Sequence, residues 1–147
     1  MPASAEWTIF DTTVYIEAAR RGPDSPAHLA LELEVSRTYL ASVVCAELRA
    51  GVRDEQGARA VAALTDPFYW VDRVVTPDAD SWRRAGDALA AIARQEPALR
   101  DRVARLWNDV LIACSARQIG ARVVTGNVGD FRLLQRHVSF ALEPFVP

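Results

Sequence analysis

The 147-residue sequence contains no lysine, and all 17 of its basic residues are arginine. This absence excludes every mechanism that needs a lysine. Histidine is almost as scarce, with only His28 and His137. Neither lies in a motif typical of Ser/His/Asp or Cys/His catalysis. We therefore expect no histidine near a functional site.

Cysteine and long apolar runs are also scarce. Cys45 and Cys114 each lie within an apolar run, where a free thiol behaves as a small hydrophobic side chain. We predict that both are core residues. No apolar run approaches the roughly 20 residues that span a bilayer, and no basic-then-apolar leader precedes the first motif. We therefore expect a soluble, cytoplasmic protein without a membrane contact.

Half of the residues are hydrophobic, while glycine and proline are few. This composition predicts one compact domain over residues 1–147. Short apolar runs alternate with longer helical patterns, which favours a parallel sheet covered by helices. The predicted helices cover 13–20, 26–35, 43–52, 78–94, 105–119 and 130–137. The predicted strands cover 8–10, 38–41, 70–75, 122–125 and 138–142.

The first strand stops at an aspartate, in the stretch WTIFDTTVYIEA. A charge at the end of a buried strand is costly unless it is paired. In an open parallel sheet, Asp11 would point into the crevice at the carboxyl edge, where such folds place their sites. The alternative is that Asp11 simply caps the following helix.

Two further acidic residues interrupt apolar helix faces. Glu47 has apolar or small neighbours three and four positions away, although a surface pair with Arg49 or Arg53 would also explain it. Asp109 lies on or beside the apolar stripe of LWNDVLIACSA. A half-buried carboxylate without a local basic partner needs a distant partner or a metal ion.

Asp130 opens the last helix, after the loop TGNVGDF, and helix capping explains much of its position. Thr125 and Asn127 add oxygen ligands or hydrogen-bond donors on the same loop. The four acidic residues fall at the ends of strands or at the starts of the helices that follow. In a parallel sheet these points converge on one edge. Because gathered carboxylates repel one another, we expect Mg²⁺ or Mn²⁺ to bind there.

With these positions assigned, the chain resembles PIN-domain ribonucleases, and most closely the VapC-type toxins of toxin–antitoxin pairs. IFDTTVYIEA is similar to the opening motif of that family, and SVVCAELRAGV to its Ala-Glu-Leu segment. NDVLIACSARQIGARVVTGNVGDF is similar to its closing helix, strand and loop. The stretch RQEPALRDRVARLW is longer than the loop common before the third motif. The family's fourth acidic position varies, which leaves Asn127 and Asp130 as alternatives.

The resemblance implies an α/β PIN-like domain with a central parallel sheet of about five strands. It also implies a metal-dependent endoribonuclease, in which metal-activated water attacks an RNA phosphodiester. Its acidic site residues would be Asp11, Glu47, Asp109 and Asp130, supported by Thr12, Thr125 and Asn127. Arg49, Arg53 and Arg132 are candidate RNA phosphate contacts, although each could equally be a solvated arginine.

The implied partners are RNA, an antitoxin whose tail enters the acidic groove, and a second copy of the chain. DNA would be contacted only through the antitoxin. Phe68, Tyr69 and Trp70 could belong to a partner surface or to the core at the start of a strand.

Two other interpretations stay open. One is a catalytically idle PIN-fold binding module, which should have lost some of the four carboxylates, whereas this sequence keeps them all. The other is a Mg²⁺-dependent phosphatase-like α/β domain, which normally needs a lysine and a second aspartate two residues after the first. The chain has no lysine and has Thr13 at that position.

Overall fold

The computed structural model describes residues 6–147, which alternate between strands and helices. The strands are β1 (Trp7–Phe10), β2 (Leu40–Ala41), β3 (Val74–Val75), β4 (Ala121–Thr125) and β5 (Ala141–Pro144). The α-helices are α1 (Thr12–Arg21), α2 (Pro26–Leu33), α3 (Ser42–Ala50), α4 (Glu55–Trp70), α5 (Ala79–Gln95), α6 (Trp107–Ile119) and α7 (Val128–Gln135). Two 3₁₀ helices cover Val35–Arg37 and Pro97–Leu106.

Every strand pair is parallel. One sheet has the order β1-β4-β5, and a smaller one pairs β2 with β3. A single parallel bridge between Thr8 and Thr38 places β2 beside β1, and the Tyr39 N–H donates to the Thr8 carbonyl at 2.9 Å. The strands therefore follow the order β3-β2-β1-β4-β5. This confirms the predicted α/β class. The expected central sheet of about five strands is divided into a three-stranded and a two-stranded sheet, which the bridge between Thr8 and Thr38 joins.

Helix α6 passes through the interior of the molecule. Its seven consecutive residues from Val110 to Ala116 are all buried, as expected for a helix with neighbours on every side. Cys114 is one of them, and Cys45 is also buried, so the predicted core positions of both thiols are confirmed. Gly120 ends the helix in the left-handed conformation, which glycine adopts without strain. The position just before the buried run belongs to Asp109.

The largest error of the sequence-based assignment concerns 55–75. Residues Glu55–Trp70 form helix α4, and only Val74–Val75 of the predicted strand 70–75 is extended. Pro67 lies inside α4, where a proline normally indicates a helix end. Phe68 is buried on this helix, whereas Tyr69 and Trp70 are exposed. Neither residue starts a strand.

Smaller differences affect element ends. The last strand is Ala141–Pro144 rather than 138–142, because the N–H groups of His137 and Val138 bond back to the Leu134 carbonyl and close α7. Helix α6 begins at Trp107, after a ten-residue 3₁₀ helix that the sequence patterns did not predict. Within residues 6–147, no helix is both long and apolar enough to cross a membrane.

Candidate acidic active site

Asp11 lies at the carboxyl end of β1, as predicted. Its N–H donates to the Val124 carbonyl at 3.0 Å, which continues the ladder between β1 and β4. Asp11 occupies the N-cap position of α1, but its side chain makes no capping hydrogen bond there. The Thr13 and Val14 N–H groups nevertheless act on this carboxyl and lower its pKa, so capping accounts for part of why an aspartate ends this strand. The residue is only 2% exposed, which makes it the most buried acidic group of the site.

Two threonine hydroxyls hold the Asp11 carboxylate. Thr125 Oγ1 donates to Oδ2 at 2.6 Å, and Thr13 Oγ1 donates to Oδ1 at 2.5 Å. The N–H groups of Asn127 and Gly126 donate in turn to the Thr125 and Thr13 hydroxyls. Burial raises the pKa of Asp11, while the hydrogen bonds from Thr125 and Thr13 act to lower it. The Asp11 carboxylate is thus held by one hydroxyl from helix α1 and one from strand β4.

Glu47 enters the site from α3. Thr12, the first residue of α1, donates its hydroxyl to Glu47 Oε1 at 2.7 Å. Glu47 is only partly buried, and it lines a cleft of about 450 Å³. The predicted supporting residue Thr12 therefore contacts a predicted acidic residue directly.

Asp109 and Asp130 meet through an asparagine. Asn127 Nδ2 donates to Asp130 Oδ2 at 3.0 Å and lies 3.5 Å from Asp109 Oδ2. Asp109 belongs to the first turn of α6 and Asp130 to the first turn of α7. The first turn of a helix favours a carboxylate. The structure thus places Asn127 and Asp130, the two alternatives for the fourth acidic position, in direct contact with each other.

One basic group reaches this end of the site. Arg102 Nη2, from the 3₁₀ helix Pro97–Leu106, lies 3.1 Å from Asp130 Oδ1. The two residues are 28 positions apart in the sequence. No local pattern links them.

The pKa of Asp109 reflects the charges of the other three carboxylates. Its pKa is raised to about 7, first by burial and then by the negative charges of Asp11, Glu47 and Asp130. The structure therefore brings together the four acidic residues predicted from the sequence. Asp109 bears the largest cost of that proximity, because its one nearby hydrogen-bond donor lies at 3.5 Å.

The donor set fits a hard divalent cation. Four carboxylates, three threonine hydroxyls and an amide are oxygen-rich, which suits Mg²⁺ or Mn²⁺. The raised pKa of Asp109 indicates repulsion that a cation would relieve. In the described part of the chain, however, no three acidic, His or Cys side chains are arranged to enclose an ion. Thr12 and Arg102 instead hold the two outermost carboxylates, Glu47 and Asp130.

The three arginines predicted to contact RNA occupy different surroundings. Arg49 pairs with Asp66 of α4 at 3.2 Å. Arg53 lines the same cleft as Glu47, and Arg132 is exposed on α7, two residues after Asp130. Arg53 and Arg132 make no ion pair within residues 6–147. Both are therefore available to an anionic ligand.

Sequence reasoning missed two contributors to the site. Thr13 holds Asp11 and also accepts the Gly126 N–H at 3.1 Å. A Cβ at Gly126 would meet Thr13 Oγ1 at 3.3 Å, so this close approach favours glycine. The run of two threonines after Asp11 was a signal for Thr13. For Arg102 the sequence offered no signal.

Apolar surface adjoins the acidic residues on the side of α3 and α5. Trp82 and Trp107 pack with ring centroids 6.3 Å apart, and they are 53% and 40% exposed. A groove beside them is lined by Val43, Ala46, Glu47, Ala50, Gly51, Trp82, Asn108 and Leu111. The groove thus extends from exposed aromatic rings to an acidic side chain of the site.

Comparisons with known proteins identify the family and the fold. A family model described as "PIN domain" matches residues 8–135. A chain in the crystal structure of VapBC2 from Rickettsia felis, bound to a promoter DNA fragment, is 23% identical with a TM-score of 0.66. That match covers 95% of this chain and 98% of the other. A search among curated proteins found no match.

Two further solved structures have the same fold. A chain in DNA-bound VapBC from Salmonella typhimurium is 23% identical with a TM-score of 0.66, covering 94% of this chain and 97% of the other. A chain in VapBC-5 from Mycobacterium tuberculosis, described as a member of the VapBC family of toxin-antitoxin systems, is 19% identical with a TM-score of 0.57. This match covers 97% and 99% of the two chains.

Proposed function

The chain belongs to the PIN-domain family, and from this premise we propose that it is a VapC-type toxin that cleaves RNA as a metal-dependent endoribonuclease. The observation behind the proposal is the convergence of four carboxylates from different elements on one site, where burial first and then the charges of Asp11, Glu47 and Asp130 raise the pKa of Asp109 to about 7. A fold gains no stability from such repulsion. The arrangement is therefore best explained by a cationic ligand that the function requires.

In this proposal, Asp11, Asp109, Asp130 and Glu47 would hold Mg²⁺ or Mn²⁺. The ion would supply a Lewis acid that activates water at neutral pH and offsets phosphate charge. The two threonine hydroxyls on Asp11 fix the direction of its oxygens before any ligand arrives. Asn127 spans Asp109 and Asp130 and keeps those two carboxylates on the same side.

Glu47 is the best placed group to accept a proton. It is partly exposed and lines a cleft open to solvent, so water reaches it. The Thr12 hydroxyl orients its Oε1, which leaves Oε2 to contact the attacking water. Asp11 is too deeply buried for that role. We assign proton transfer to Glu47 and binding of the metal ion to Asp11.

The test is cleavage of RNA by the purified chain with added Mg²⁺ or Mn²⁺. We expect Asp11→Asn and Asp109→Asn each to lower cleavage at least about a hundredfold, as for loss of a positioned catalytic group. Both variants should also lose growth toxicity. Asp24→Asn is the matched control, because Asp24 is exposed in the loop before α2.

Retained cleavage in both site variants would contradict the catalytic assignment. A wild-type chain that binds the ion but cuts no RNA would favour an idle binding module of the same fold. The family match spans most of the sequence, which supports a single PIN-like domain over residues 1–147.

We also propose an antitoxin partner, because the similar solved structures are named as VapBC complexes. The cleft beside Glu47 supports such a partner. Its apolar lining includes Ile16, Leu48 and Val61, and the basic residues Arg20 and Arg53 lie on the same cleft. This mixture suits a peptide with apolar anchors. In this proposal any DNA contact is made by the antitoxin.

A homodimer is the third partner proposal. The exposed indoles of Trp82 and Trp107 and the small residues Ala46 and Ala50 form an apolar surface beside the site. Aromatic side chains with small apolar neighbours are typical of the centre of a protein interface. A second copy packed there would place two acidic sites close to one another.

A further inference from the structure

Arg102 is the one cation that contacts the acidic side chains of the site within residues 6–147. Its guanidinium lies 3.1 Å from Asp130 Oδ1, on the side opposite to the oxygen that accepts from Asn127. Arg102 thus occupies a position of positive charge at the edge of a group of four carboxylates.

The 3₁₀ helix Pro97–Leu106 presents this arginine from a fixed base. Leu106 is buried, and Leu99 and Val103 are partly buried against the core. The backbone around Arg102 is therefore anchored on both sides. Its side chain, in contrast, is 55% exposed and makes no other hydrogen bond or ion pair with residues 6–147, so most of its five N–H donors are free of the described chain.

An exposed ion pair of this kind is weak. Such pairs contribute little net stability, because water competes for both groups and long side chains lose entropy. A divalent cation at the site would bind Asp130 more strongly than a single guanidinium does. Arg102 would then be displaced into the solvent in front of the carboxylates. A polyanion that approaches the ion would meet the arginine there.

Building on the proposed function, we propose that Arg102 alternates between two anions. It pairs with Asp130 when the ion is absent and with an RNA phosphate when the ion is bound. Arginine is well suited to this exchange, since its planar donors match both carboxylate and phosphate oxygens. Arg102 is thus a substrate-positioning residue that also competes with the metal ion.

The first measurement is Mn²⁺ binding by isothermal titration calorimetry. We expect Arg102→Gln to bind Mn²⁺ about two- to fivefold more tightly, the range that an exposed ion pair contributes. Arg100→Gln is the matched control, because Arg100 is exposed on the same 3₁₀ helix and has no ion pair in the described chain. Its affinity for Mn²⁺ should stay at the wild-type value.

The second measurement is binding of a labelled 16-nucleotide single-stranded RNA of random sequence in Mn²⁺ at 4 °C, with gels to verify intact RNA. Arg102→Gln should bind this RNA more weakly, and the slope of log K against log salt should fall by about 0.7, as for one lost phosphate contact. Arg102→Lys should restore most of the slope. A merely structural role would not change the two affinities in opposite directions.

Unchanged affinity for either ligand in Arg102→Gln would overturn the inference. A wild-type chain that binds neither Mn²⁺ nor RNA would instead contradict the proposed function. Loss of Mn²⁺ binding in Asp109→Asn, measured in the same series, distinguishes the two failures.

Discussion

The inner and outer carboxylates of the acidic site are held in different ways. Asp11 is buried between β1 and β4, and both of its oxygens accept short hydrogen bonds from threonines. Glu47 and Asp130 are partly exposed, and each depends on one or two side chains from other elements. The fold itself fixes the inner carboxylate. The outer ones are positioned by contacts that a ligand can replace.

This difference gives the site a rigid side, formed by Asp11 and its two threonines, and an adjustable side, formed by Glu47 and Asp130. Within the described residues, no three acidic, His or Cys side chains are arranged to enclose an ion. An adjustable side would allow the outer carboxylates to move toward a bound ion. Breaking a buried hydrogen bond to a carboxylate costs more free energy than breaking an exposed one, because water compensates only at the surface. Substitutions on the two sides should therefore differ in their effect on stability.

The largest effect should come from Asp109, which lies between the two sides. In the folded chain its pKa is raised from 3.8 to about 7, so the folded state binds the proton more tightly than the unfolded state. The contribution of Asp109 to stability should be fully present below about pH 4 and should be lost as pH rises through about 7, by at most about 4 kcal/mol. Asp109→Asn should remove this loss and raise the melting temperature at pH 8.

Melting curves of the wild type and Asp109→Asn between pH 4 and 8 measure this effect as a difference. The difference cancels other groups, such as Asp80, whose pKa the nearby Arg83 and Arg84 lower to about 2. Added Mg²⁺ should stabilise the wild type at pH 8 more than the variant. Parallel curves for the two proteins would show that Asp109 is not under electrostatic strain.

The second effect tests the rigid side through Thr125→Val, which removes a buried hydroxyl at almost constant shape. The change leaves Asp11 Oδ2 and the Asn127 N–H without their partner. We expect a loss of about 2 kcal/mol in the free energy of unfolding, because two buried polar groups lose their partner. Urea unfolding measures it, and Thr125→Ser, which keeps the hydroxyl and removes only a buried methyl group, should lose less, about 1 kcal/mol.

The sequence predicted the positions of all four carboxylates, and it missed one contact on each side of the site: Thr13 beside Asp11 and Arg102 beside Asp130. Asp11 and Thr125 lie at the ends of adjacent parallel strands, and strand ends are visible in apolar patterns. Glu47 and Asp109 were visible because they interrupt apolar helix faces. Each of these signals is local, since it depends on neighbours within about four positions.

Sequence analysis failed where a contact joins residues far apart in the chain, and where a single residue is atypical of the secondary structure around it. Helix α4 was not predicted, and its internal Pro67 is atypical of a helix, although Asp54 caps the helix through the Gly57 N–H at 2.7 Å. The contact between Arg102 and Asp130 depends on the path of a ten-residue 3₁₀ helix. Neither composition nor periodicity determines that path.

The smallest effect on stability should come from Thr12→Val on the adjustable side. The Thr12 hydroxyl holds Glu47 Oε1 at 2.7 Å, but Glu47 is partly exposed and water can replace the lost donor. We expect a loss below about 1 kcal/mol in urea unfolding. Cleavage should nevertheless fall, because Glu47 loses its orientation, and Thr12→Ser should restore it. A stability loss as large as that of Thr125→Val would mean that both sides are fixed by the fold, and the adjustable side would not exist.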